Sequence, residues 1–205
     1  MIRAFLRAWL PGLVLALTAS QAWAEVTITF YAHPGARVRD GNLLFPHAYV
    51  HAVGQLDDTG EAVDWSAGFT AKNPGPQLLF ARGVGEVQHP NPRYVDEGQA
   101  HLRVTVTDAV YRGIRERADW WNGPEGSVYD LRRRNCISFV ADLARLAGLT
   151  TAPEPSMKPG TFLEATAALN PAADPTTPIT VTIPSAPATT TAPVQAPAGA
   201  EPLKP

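Results

Sequence analysis

One cysteine, Cys136, is all that the 205 residues contain. No disulfide can close within such a chain, and no zinc set built from paired cysteines can form. Charge of one sign is missing too. The net charge is −2, which removes any global case for nucleic acid. The one basic run, Arg132-Arg133-Arg134, is the size of a solvated turn. Gly83-Val84-Gly85 is not a phosphate loop, because the glycine pattern is incomplete and no lysine follows it. There is no internal repeat. The first apolar stretch, Trp9 to Ala19, is too short and broken to span a bilayer.

What is present divides the chain in three. Residues 1–24 carry Arg3 and Arg7, then the apolar stretch, then Ala22-Trp23-Ala24 as a small-x-small cleavage site. That is the pattern of a signal peptide, and it predicts a periplasmic or secreted protein beginning near Glu25 with no stable membrane span after cleavage. No cysteine follows the apolar region, which excludes lipoprotein anchoring. Residues 170–205 are rich in proline, alanine and threonine. Such a composition buries too little apolar surface to offset ordering, and it predicts a disordered tail. Between them, 25–169 is one domain of ordinary size.

Within that domain Glu25 to Tyr31 alternates as a strand. Phe45 to Val53 alternates more clearly: Phe45, His47, Tyr49, His51 and Val53 share one face, and Ala48, Val50 and Ala52 share the other, a small apolar face suited to packing under a helix. Gly54 to Gly60 is a hairpin-type turn and Glu61 to Thr70 the returning strand. Leu78 to Val87 reads as a bent strand, and Arg93 to Asp96 and His101 to Val106 as two more. Thr107 caps a helix that Asn122-Gly123-Pro124 stops, and Ser127 to Arg134 connects it to the next. Asn135 caps that helix, along which Cys136, Phe139, Val140, Leu143 and Ala147 form an apolar stripe that Gly148 ends. A short helix over 160–169 closes the domain. The class is α+β, a small antiparallel sheet packed against helices.

Cys136 is the residue with most chemistry to offer. At a helix start its sulfur lies beside unpaired N–H groups and the positive end of the helix dipole, and both favour thiolate. The three arginines before it push the same way if they stay near. The same apolar stripe also describes a small buried hydrophobe, so both readings stand on the residues alone. A cysteine nucleophile needs a base within hydrogen-bond reach. Of five histidines, His33 and His89 sit beside prolines and read as incidental. His47 and His51 share a strand face about 13 Å apart, too far for a metal pair, and His101 begins another strand. A metal site from His47, His51 and His101 is therefore set aside, and no cofactor is expected.

Phe45-Pro46-His47-Ala48-Tyr49-Val50, followed far downstream by Tyr129-Asp130-Leu131 and Asn135-Cys136-Ile137-Ser138-Phe139-Val140, resembles the circularly permuted branch of the NlpC-like, papain-fold cysteine peptidase superfamily. That branch includes relatives of lecithin retinol acyltransferase and the PPPDE deubiquitinase-like proteins. The resemblance spans about 26–169. It implies a permuted papain-like fold with Cys136 as nucleophile, His47 as general base and the Cys136 N–H meeting an oxyanion. A third, orienting residue would come from the strand after His47, where Asp64, Ser66 and Thr70 are available and none matches strongly. His101 is the other candidate. Two functions follow. One is an exported cysteine hydrolase of amidase or peptidase type, or an acyltransferase, working through a Cys136 thioester on a cell-wall peptide or another amide or ester. The other is a catalytically inactive envelope domain of the same fold that binds a peptide, glycan or protein.

Overall fold

The computed structural model describes residues 25–37, 43–44, 46–154 and 158–173. The expected signal peptide, Phe45 and nearly all of the expected tail lie outside these residues.

In chain order the elements are β1 (Val26–His33), β2 (Ala36–Arg37), β3 (Leu43–Leu44), β4 (His47–Gln55), β5 (Ala62–Ala71), β6 (Gly83–Gln88), α1 (Pro92–Asp96), β7 (Gln99–Val106), α2 (Asp108–Asn122), β8 (Val128–Tyr129), α3 (Cys136–Leu146) and α4 (Pro159–Leu169). Six strands form one antiparallel sheet in the order β7-β1-β4-β5-β6-β8, and β2 and β3 pair separately. The class is the expected α+β. β1 and β4 pair along their whole length, from Val26 opposite Gly54 to His33 opposite His47.

The alternation in β4 sorts its two faces. Ala48, Val50 and Ala52 are fully buried, with Ile28 and Phe30 beside them on β1 and Ala67 and Phe69 on β5. Four of these seven are large, but the three alanines let α3 approach β4 and β5 closely, and those are the strands it packs on. Phe69 of the sheet, Trp121 of α2 and Phe139 of α3 meet edge-on or stacked, with ring centroids 4.8 to 6.3 Å apart. Each such pair adds about 0.5–1.5 kcal/mol beyond the area it buries. The other face of β4 carries His47, Tyr49 and His51. Buried Tyr49 donates its hydroxyl to the carbonyls of Tyr94 (3.0 Å) and Val95 (3.3 Å), which pins α1 over the sheet.

Four expectations change. Residues 93–96 are helical, not a strand: Asn91 accepts from the Tyr94 N–H at 3.0 Å and Pro92 is the first helical residue, a cap-plus-proline start that outweighs the short apolar run. The bent strand over 78–87 is confined to Gly83–Gln88, since Pro76–Leu79 form a 3-10 turn. The 127–134 connection contains β8, which pairs with β6. The folded unit also runs past Leu169. Asn170 donates to Thr150 O at 2.7 Å, and the carbonyl of buried Ala173 accepts from the Arg103 N–H at 3.2 Å on the edge strand β7.

Candidate active site

Asn135 starts α3 as the sequence predicts. Its Oδ1 accepts from the N–H groups of Ile137 (2.8 Å) and Ser138 (3.4 Å), and its Nδ2 donates to Leu131 O at 2.8 Å. Asn135→Ala should therefore cost about 1–2 kcal/mol of stability, checked by denaturant unfolding; an unchanged midpoint would mean that the cap is energetically idle. Cys136 is the first residue of the helix, so its own N–H has no intrahelical acceptor.

The structure brings Cys136 and His47 to one cleft of about 810 Å³. The packing of α3 on β4 makes this unavoidable. The backbone N–H of Ala48, which belongs to the peptide bond joining His47 to Ala48, acts on the Cys136 sulfur together with those of Cys136 and Ile137. The hydrogen-bond donors acting on the sulfur are these backbone groups, with no imidazole among them. Catalytic contacts often form fully only when substrate binds.

The charge state of the pair differs from the expectation. Burial dominates at Cys136, which is 7% exposed, and pushes the thiol up from 9.0 to about 11. The three N–H groups pull the other way without overcoming it. Burial, and next the neighbouring His33, push His47 down from 6.5 to about 4. At neutral pH the pair is thiol and neutral imidazole, not thiolate and imidazolium. Arg133 and Arg134 do not help, because they line a different groove. Asp130 accepts from the backbone N–H groups of Arg132 and Arg133. Arg134 donates to Gly126 O at 3.0 Å, with its guanidinium 4.0 Å from the centre of the Trp121 ring.

Two consequences can be measured. Alkylation of Cys136 by iodoacetamide should climb about tenfold per pH unit through pH 10, with no plateau until near 11. A plateau just above 9.0, the value the thiol starts from, would contradict this. Stability follows the same signs. The folded state disfavours both ionised forms. His47 makes the fold lose stability as pH falls from 6.5 toward 4, and Cys136 does so as pH rises from 9.0 toward 11.

Other residues surround the pair. His33, read as incidental, is the last residue of β1 and sits directly opposite His47. Its Nδ1 accepts from the Gly35 N–H at 3.0 Å, and its ring stacks on Tyr94 at 4.2 Å. His89, also read as incidental, lines the cleft, with Nδ1 2.6 Å from Ser66 O. A carbonyl partner makes that nitrogen the donor. Tyr94 and Tyr129 flank the sulfur; burial first, and then nearness to Cys136, push both phenols up. The Asn91-Pro92 start was the signal for Tyr94, and one more step of the β1 alternation was the signal for His33.

The candidates for a third residue scatter. Thr70 lines the cleft. Ser66 donates to Pro90 O at 2.6 Å and fastens the cleft wall. Asp64 bonds His51 at 2.8 Å, and its side chain is 83% exposed, so this pair is a surface contact away from the cleft. His101 is not brought to the cleft. It falls where the β1–β7 register shifts, buried, with Nε2 lacking a partner among the described residues and Glu164 of α4 as its charged neighbour.

Gly68 belongs to Gly68-Phe69-Thr70, a stretch that with the His101 strand fits the resemblance, but nothing in the sequence assigns it a part beside His47. A Cβ there would lie 2.5 Å from His47 Nε2 and 3.0 Å from Tyr49 Cβ. The imidazole therefore occupies the space that a side chain at position 68 would take. Gly68→Ala should displace the ring and, with His47 as general base, would lower kcat/KM by up to about 10²-fold. The overpacking costs about 1–3 kcal/mol. A KM left unchanged while kcat falls would separate displacement of His47 from general damage; unchanged kcat would show that the ring has room to move.

No family model and no curated protein matches this chain. Among solved structures, the crystal structure of a type VI secretion system effector, TseH, is similar with a TM-score of 0.43 and 19% identity, covering 70% of this chain and 87% of that one. At that score the likeness assigns neither fold family nor activity.

Proposed function

We propose that the protein is an exported cysteine hydrolase of permuted papain-like type, with Cys136 as nucleophile and His47 as general base. The observation that supports this best is the shared cleft: the chain's one thiol, at a capped helix start, lies against the peptide bond that follows His47. Because both groups rest in their neutral forms, the proton moves as the bond forms. Sγ attacks the substrate carbonyl while His47 takes the thiol proton. The carbonyl oxygen becomes an oxyanion facing the Cys136 N–H. His47 returns the proton to the departing amine or alcohol, leaving a Cys136 thioester. Water then attacks with His47 again as base, releasing the acid and restoring the thiol; a second alcohol or amine in place of water gives transfer.

Export rests on the sequence pattern of residues 1–24. A second reading, an inactive domain that binds its ligand in the same cleft, is favoured by the thiol's burial and its raised pKa. Steady-state hydrolysis of neutral activated esters and amides by the full chain separates the two. Turnover above that of free cysteine at equal pH supports the hydrolase. No turnover, with ligand binding unchanged in Cys136→Ala, supports the binding domain.

A further inference from the structure

The chain carries 36 formally charged side chains, from 17 Lys and Arg and 19 Asp and Glu. None of them lines the Cys136 cleft among the described residues. Its walls are apolar or neutral, with Pro74, Pro76, Leu78, Leu131, Ile137 and Pro159 among them. The polar groups that do reach it are amides, hydroxyls and imidazoles. Charge is instead gathered in a second groove on the far face of α3, where Arg117, Arg133, Arg134, Asp142 and Arg145 meet. The apolar lining reaches solvent at Leu79, which is 52% exposed, and exposed Phe80 follows it in the chain. An ionised group bound inside such walls would lose its water without gaining a countercharge, which costs several kcal/mol.

Resting on the reading of this cleft as the acyl site, we infer that the substrate presents an uncharged, apolar acyl group to Cys136, with the chain of that group running along the proline and leucine wall toward Leu79. A wall peptide bearing carboxylates or amines near the scissile bond does not fit. A pocket of this size and lining is what a medium-sized neutral ligand uses.

The test separates binding from turnover. Full-length Cys136→Ala is titrated calorimetrically with N-methyl butanamide, hexanamide and octanamide, and with the octanamide bearing a terminal carboxylate. Affinity should rise about fourfold per methylene, as for a methylene moved from water to an apolar site. The terminal carboxylate should lower it by roughly a hundredfold. Leu78→Glu should remove the preference for the longer amides without unfolding the chain. Flat affinity across the series, no binding of any member, or equal binding of the carboxylate would each overturn the inference. If the binding series behaves as stated while wild type shows no turnover, the apolar ligand site stands and the hydrolase reading falls. If wild type turns over charged peptides in preference to neutral acyl compounds, the hydrolase stands and this inference falls.

Discussion

Cys136→Ala should abolish turnover, lowering kcat/KM by at least about 10⁴-fold. The size of the effect follows from composition as much as from position. The chain has no second cysteine that could substitute, and Cys136 N–H, Ala48 N–H and Ile137 N–H converge on this one sulfur. What would survive is binding plus whatever the backbone donors do for a water in place of the thiol. The fold should be nearly unaffected, because alanine keeps the apolar stripe of α3 and the Asn135 cap does not use the Cys136 side chain. Circular dichroism melts beside the kinetics check this. Residual turnover within tenfold of wild type would mean that another group carries the reaction.

His47→Ala should lower kcat/KM by about 10²–10⁴-fold, toward the lower end, since a base held near pH 4 takes a proton with little driving force. Its pH signature is more telling than its size. With His47 neutral down to about 4, wild-type kcat/KM should hold its value across pH 5 to 7 and fall only on approach to that limit. An enzyme resting as thiolate and imidazolium would instead lose activity on both sides of a window set by two titrations. In His47→Ala the acid limb should vanish. A wild-type acid limb centred near 6.5 would show that the imidazole is more solvated than its enclosure by Gly68, Tyr49 and His33 implies.

The elements that bear the site were legible from local pattern. The Asn135 cap and the apolar stripe after it defined α3, and the alternation of small apolar with aromatic and histidine side chains defined β4 and the face under the helix. The electrostatics were not legible, because the sign of a pKa shift depends on enclosure by distant segments. A helix start promises a lowered thiol pKa, but Tyr94, Tyr129 and the sheet bury Cys136 and reverse it. The arginine run promises positive charge at the sulfur, but Arg134 finds Trp121 and Gly126, contributed by α2 and the turn after it. His33 and Gly68 gain their roles only through register, since both act on His47 from neighbouring strands. His101 lies outside the cleft, at a register shift that no single-strand pattern reveals.

The most direct test is to trap the acyl-enzyme. The full chain is mixed with p-nitrophenyl acetate, quenched in acid within one turnover, digested and mapped by mass. The account predicts an acetyl group on the peptide containing Cys136 in wild type, formed at least about 10²-fold more slowly in His47→Ala. An adduct elsewhere, or Cys136 acetylated equally fast without His47, would contradict it.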